Sequence, residues 1–286
     1  MSVTLVAGED RVTVDIDRGA RLVSLFAGGR ERMLGPGPGA VAAETTWGSF
    51  LMAPWAGRMS DARLTWEDRT HQLERNLPPH AIHGVVFDER WSIEELAEHR
   101  VVCSCALDPA RWPFGGRVRQ TIEIETERLS LNATVTGGDV SMPAALGWHP
   151  WFQRNDDERV RVAVAGERVL ETRTDLIPTG RLAPVHGETD LREGPELGPR
   201  RLDHVYVDVS SPACVTWPDL QLTMRFEPPL STVVVHTPAT GFCVEPQTAW
   251  PDALRLKDAG IQETGLMSLP PRGELSARTE WSWEPQ

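Results

Sequence analysis

Arg117-Val118-Arg119-Gln120-Thr121-Ile122-Glu123-Ile124-Glu125-Thr126-Glu127-Arg128-Leu129-Ser130-Leu131-Asn132-Ala133-Thr134-Val135-Thr136 decides how the rest of this chain is read. Val118, Ile122 and Ile124 alternate with polar residues, as do Leu129, Leu131, Ala133 and Val135, across a polar turn at Thr126-Glu127-Arg128. Successive side chains of a strand point to opposite faces, so this alternation predicts an antiparallel hairpin with one buried face. The same period recurs in Arg11-Val12-Thr13-Val14-Asp15-Ile16, in Arg161-Val162-Ala163-Val164 and in Leu220-Gln221-Leu222-Thr223-Met224-Arg225-Phe226. Helical periodicity is scarce, and Ile93 to His99 offers one or two turns at most. Short strands joined by Gly- and Pro-rich connections predict an all-β sandwich or barrel.

The 286 residues suffice for two average domains or one large β architecture. The stretch from Thr172 to Arg200 is poor in strand signal and rich in Gly, Pro and charge. Strand patterns resume on both sides of it without a change in composition, so it reads as a long excursion within a single domain spanning 1–286. A net charge of −12 repels phosphate backbones and anionic lipid, which argues against nucleic-acid and membrane-surface partners. No apolar stretch reaches membrane-spanning length. The N-terminal residues lack a basic segment and a long apolar run, so no signal peptide is expected. Cys103, Cys105, Cys214 and Cys243 are therefore expected as reduced, mostly buried thiols of a cytoplasmic protein.

Three rigid polar motifs carry the candidate chemistry. In Phe242-Cys243-Val244-Glu245-Pro246-Gln247-Thr248-Ala249-Trp250-Pro251-Asp252-Ala253, Glu245 follows an apolar run, and Pro246 is expected to halt the strand just after it. Desolvation there makes a carboxylate a useful base, while a strand-end Glu facing water is the plainer alternative. In Gly147-Trp148-His149-Pro150-Trp151-Phe152, apolar and rigid neighbours hold His149, either for chemistry or as a core histidine satisfied by a carbonyl. In His80-Ala81-Ile82-His83-Gly84, the glycine after His83 permits close approach of another chain or a ligand. His80 and His83 are three apart, but Pro78-Pro79 disfavours a helix and no matching Cys or carboxylate pair lies nearby, so no metal site is expected. Arg58, in Pro54-Trp55-Ala56-Gly57-Arg58, suits a guanidinium fork aimed into a cleft or a plain surface arginine. Asp203 precedes a strand and either accepts hydroxyl hydrogen bonds or caps a turn. Glycine-rich phosphate loops and nucleophile elbows are absent, which removes nucleotide-dependent and serine-hydrolase readings.

Taken in order, the Arg58 loop, His83-Gly84 followed by Trp91, the Gly147–Phe152 motif, Asp203-His204, and Val244-Glu245-Pro246 through Pro251-Asp252-Ala253 resemble the aldose 1-epimerases (galactose mutarotases). The opening Gly19-Ala20-Arg21-Leu22-Val23-Ser24-Leu25 is similar too, so the resemblance spans nearly the whole chain. It implies a large antiparallel β-supersandwich that interconverts the α and β anomers of a free aldohexose, with no metal or cofactor. It further implies Glu245 as general base, His149 as general acid on the opposite side of the sugar, and Arg58, His83 and Asp203 as residues that orient hydroxyls. Two positions depart from the pattern: Gly57 stands where the family often has Asn, and so does His80. The rival readings are a hexose-6-phosphate 1-epimerase and a non-catalytic carbohydrate-binding sandwich. The phosphate enzyme usually carries an Arg shortly after its His-Gly step, whereas Val85-Val86-Phe87-Asp88 follows here. The sequence assigns no oligomeric state.

Overall fold

Two large antiparallel sheets, with three two-stranded ones beside them, make up the described residues. The computed structural model describes residues 1–36, 44–154 and 159–286. Within them an eleven-stranded sheet takes strands from Ser2–Ala7 through Phe242–Gln247, and an eight-stranded sheet takes strands from Ser92–Leu96 through Glu274–Pro285. One hydrophobic cluster draws on both, from Leu5, Val14 and Leu22 to Ile122, Leu131 and Trp281, so the sheets share a core as a sandwich does. The architecture is all-β, as the alternation predicts. Because each sheet gathers strands from across the sequence, we propose one domain over 1–286.

The decisive hairpin forms in the expected register. Val118 pairs with Val135, Ile122 with Leu131 and Ile124 with Leu129, all of them buried. Its turn is tighter than expected, since Glu125 pairs with Arg128 and only Thr126 and Glu127 make the bend. The Ile93–His99 expectation fails. Ser92–Leu96 is an edge strand paired with Arg100–Ala106 through a bulge between Ile93 and Glu95. Its glutamates face solvent, as suits an exposed sheet margin that must not recruit another strand. The single α-helix among the described residues is Ala253–Asp258, and none is long and apolar enough to cross a membrane. Within the Thr172–Arg200 excursion lies a further strand, Pro178–Pro184, which folds back onto Arg168–Thr172.

Strand Gly147–Phe152 occupies the middle of the large sheet, between Ser49–Met52 and Phe242–Gln247, and all six of its residues are buried. Trp148 and Phe152 join the sandwich core, while His149 and Trp151 face the other side of the sheet. Gln120, reaching from the small sheet, accepts a hydrogen bond from the Trp148 indole at 3.1 Å and donates to the Ala20 carbonyl at 3.2 Å. This buried polar bridge fixes the strand across the core. Trp148→Phe leaves the Gln120 oxygen without its donor and is expected to cost about 1–3 kcal/mol of unfolding free energy. Urea denaturation measures it, and an unchanged midpoint would show that Gln120 finds another donor.

Candidate active site

Register explains why His149 and Glu245 meet. Gly147 pairs with Gln247 and Trp151 with Cys243, so the unchanged register between them sets His149 opposite Glu245. Between those two pairs the ladder is interrupted, and both Pro150 and Pro246 lie in the gap, neither with an N–H to donate. Pro246 does not end the strand, contrary to expectation. The ladder on the other side continues, with Pro246 opposite Val233 and Gln247 opposite Thr232. Glu245 is thus a central-strand residue rather than a strand-end one. Its Oε1 stands 3.3 Å from His149 Nε2, and the two residues are 3% and 5% exposed.

Around this pair a cavity of about 290 Å³ opens on the face of the large sheet away from the core. Alternation along four adjacent strands supplies its floor: His149 and Trp151, Glu245 and Gln247, Val234 and His236, Asp203 and Val205. Thr172 reaches it from the end of strand Arg168–Thr172, Arg58 from the short strand Arg58–Met59, and Asn76, His83 and Leu176 from connecting segments. All five residues singled out from the sequence therefore line one cavity.

The loops that deliver Arg58 and His83 are pinned from several directions. Arg58–Met59 pairs with Ala81–Ile82, the Asp252 N–H donates to the Arg58 carbonyl at 2.8 Å, and an Asp252 carboxylate oxygen accepts from the Ser60 N–H at 3.0 Å. Asn76 holds Ile82 by two hydrogen bonds of 2.8 and 2.9 Å. His83 and Gly84 both have positive φ, 63° and 81°, and a Cβ on Gly84 would lie 1.9 Å from the Ala53 carbonyl oxygen. The close approach read from this glycine is to the protein's own backbone. Gly57, with φ of 68°, packs against Pro251, where a Cβ would come within 2.6 Å. His80 lies outside the cavity. Its Nδ1 accepts from the Asp61 N–H at 3.1 Å and its Nε2 is 3.7 Å from Asp175, so it braces the Thr172–Ile177 segment.

Aromatic packing sets the orientation of His149. Its ring stacks on Phe50 at 4.8 Å and on Trp151 at 5.5 Å, and meets His83 edge-on at 4.9 Å. Behind Phe50 lies the fully buried Arg21, its guanidinium 4.8 Å from that ring and 4.1 Å from Trp47. It donates to the carbonyls of Trp47 and Phe87.

Burial dominates the electrostatics. It pushes the Glu245 carboxyl well above the usual carboxylate range; Asp203 adds to the rise and Arg58 opposes it. Burial likewise holds the His149 imidazole well below its ordinary value, helped by the nearby His83, His236 and Arg21. His83 falls to about 3, again chiefly through burial. Both preferences are met when the pair's one proton sits on Glu245, as acid beside neutral imidazole, and moving that proton to His149 gives carboxylate and imidazolium with no change in total charge.

Gln247, His236, Asn76 and Trp151 were not singled out as site residues in the sequence. Gln247 Nε2 is 3.5 Å from Glu245 Oε2, its Oε1 has no hydrogen-bond partner among the described residues, and His236 Nδ1 lies 3.7 Å from Asp203. A period-2 count from Glu245 reaches Gln247. His236, after Val233-Val234-Val235, carries only the weak signal of a polar residue ending an apolar strand.

The chain matches the aldose 1-epimerase family over residues 1–271. It is 24% identical over 251 residues to YphB of Escherichia coli (strain K12), an uncharacterized protein, covering 81% of this chain and 83% of that one. A galactose mutarotase-like protein from Clostridium acetobutylicum superposes with a TM-score of 0.88 at 16% identity, covering 100% of this chain and 95% of that one. For the GalM/aldose epimerase homologue from C. elegans the TM-score is 0.85 at 15% identity, with 100% and 99% covered. Galactose 1-epimerase from Lactobacillus acidophilus NCFM gives 0.79 at 18%, with 99% and 94% covered. These likenesses establish the galactose mutarotase-like fold.

The burial also makes a statement about stability. Above the ordinary carboxyl value of 4.5 the unfolded chain ionises Glu245 while the native state resists. The Glu245 contribution to stability is therefore fully present below that value and is lost as pH rises toward the raised native one. His149 runs the other way, and its contribution is lost as pH falls below 6.5. Glu245→Gln removes only the first effect. Its melting temperature is expected to exceed that of the parent by a margin that widens from about pH 5 to about pH 8. A margin that narrows over this range would contradict the assigned direction.

Proposed function

Because the chain belongs to the aldose 1-epimerase family, we propose that it catalyses mutarotation of a free aldohexose, with Glu245 as base and His149 as acid. The contact of these two groups at the floor of a sugar-sized cavity carries the reading. Ring opening removes a proton from the anomeric hydroxyl and delivers one to the ring oxygen, while the C1–O5 bond breaks and C1 becomes a carbonyl. Both oxygens sit on the same carbon. Acid and base side by side suit them, and the expected placement on opposite sides is not needed. Rotation about C1–C2 then presents the other carbonyl face, and the pair closes the ring with roles exchanged. Each proton transfer contributes about 10²- to 10⁴-fold.

Arg58, neutral His83 and Asp203 orient hydroxyls in this reading, with Gln247 steadying the base and Trp151 offering an aromatic face. An unphosphorylated sugar is favoured because Arg58 is the only arginine or lysine among the described residues lining the cavity. Val85, Val86 and Phe87 turn into the core, and Asp88 is occupied by Arg111. A phosphoester would need a further charge-assisted partner. The family assignment favours catalysis over a sugar-binding sandwich, since binding alone requires no acid–base pair. Four free cysteines fit a reducing compartment, and we place the protein in the cytoplasm.

Polarimetry with fresh α-glucose, α-galactose and a hexose 6-phosphate tests the substrate, with a free hexose expected to react fastest. Glu245→Gln and His149→Asn should each lower kcat roughly 10²- to 10⁴-fold with little change in sugar affinity. Arg58→Ala should act mainly on KM, by about 10- to 100-fold, through a lost charge-assisted hydrogen bond. Near-parental turnover by Glu245→Gln would remove that residue from the reaction. The single shared proton also predicts a bell-shaped kcat/KM profile with a wide plateau. Its acid limb lies well below the ordinary histidine value and its alkaline limb well above the ordinary carboxyl value. A half-maximal point at the ordinary histidine value would show an unperturbed imidazole in control.

A further inference from the structure

Cys243 lies two residues before Glu245 on the same face of the central strand, fully buried beside Trp151. The mechanism leaves it without a task. Its Sγ, a His149 ring nitrogen and a Glu245 carboxylate oxygen all lie within 4.8 Å of one another. Tetrahedral zinc with sulfur, nitrogen and oxygen donors holds them about 3.3–3.6 Å apart, given bond lengths of ~2.0–2.3 Å. The His149–Glu245 separation of 3.3 Å already meets that spacing. The thiol needs to close by little more than an ångström, within reach of a small side-chain movement. We propose that Cys243, His149 and Glu245 form a site for one zinc ion, a borderline-soft divalent cation, whose occupancy shuts the acid–base pair down.

The chemistry of the donors fits. A thiolate, an imidazole and a carboxylate suit zinc or cadmium and poorly suit magnesium or calcium. Coordination displaces the thiol proton and the proton held between Glu245 and His149, so binding releases protons. Gln247 Nε2, 3.5 Å from the free carboxylate oxygen, can steady that ligand from outside. Zinc takes up the lone pairs of Nε2 and Oε1, the two atoms that would handle protons. It therefore acts as an inhibitor, and a bound sugar competes with it.

The proposal depends on the donor set and not on the reaction, so its test reads metal binding directly. Cadmium titrated into the full chain is expected to raise an ultraviolet thiolate-to-metal charge-transfer band that saturates at one ion per chain. Calorimetry with zinc chloride should give the same stoichiometry, and magnesium chloride should give no heat. Cys243→Ser and Cys243→Ala should abolish the band and weaken zinc at least roughly 100-fold, no less than loss of an outer-shell partner costs. Cys214→Ser, at the half-buried thiol, should leave both unchanged. The proposal is overturned if the parent chain shows no saturable band, or if the band moves with Cys214 instead of Cys243. It is equally overturned if either Cys243 variant, folded by its circular dichroism, binds zinc as the parent does. Should both Cys243 variants fail to fold, His149→Asn decides: a band of parental affinity there excludes the three-donor site. A chain inactive on every sugar that still binds zinc at Cys243 would refute the proposed reaction and leave the metal site standing.

Discussion

One cross-strand pair organises the cavity face of this protein. His149 and Glu245 face each other where two prolines interrupt the ladder between their strands. An antiparallel ladder fixes which residues stand opposite, and alternation fixes which face they share. Shifting Gly147–Phe152 by one residue would send His149 into the sandwich core and bring Trp148 to the cavity. The core opposes that slip, because Trp148 is bonded to Gln120 and Phe152 packs against Phe242, Trp217 and Trp281. The precision of the site is thus borrowed from the packing of the sandwich core.

That placement has an electrostatic cost. Two ionisable groups are withdrawn from water, and each resists its charged form. A single proton between them keeps the pair neutral overall in either tautomer, so a reactive arrangement is tolerated at the centre of a sheet. Arg21 adds a buried cation behind Phe50, held by carbonyls and two aromatic faces. Phe50 separates that charge from His149 and transmits its position by packing. Exposed sites elsewhere on the molecule, such as the Arg173–Asp175 pair, tune charge through direct contact with water available; here it is done by exclusion.

Much of this was legible in the sequence, and the exceptions have physical causes. The Arg117–Thr136 hairpin declared itself because one face is fully buried and the other solvated. Ser92–Leu96 did not, because an edge strand with exposed residues on both faces has no alternation to read. The Ala253–Asp258 helix spans six residues, too few for helical periodicity to register. Glu245 and His149 stood out through their rigid neighbours, but their contact depends on register between segments nearly a hundred residues apart. Proline after Glu245 suggested a strand end. It instead removes one donor from a strand that continues, since the lost bond falls where the ladder is already open. His236 was invisible for another reason: only its pairing opposite Asp203 brings it to the cavity.

The strand Glu274–Pro285 lies between Arg128–Gly137 and Leu220–Phe226, pairing with the first through its residues 274–282 and with the second through 279–285. Both neighbours are synthesised before it. A growing chain that has already formed the hairpin at Arg117–Thr136 must therefore keep two apolar sheet edges apart until this segment arrives. The small sheet cannot be completed while Glu274–Pro285 is still inside the ribosome. Completion of the small sheet thus waits on one late strand, and until it emerges its two neighbours in the nascent chain have unpaired edges.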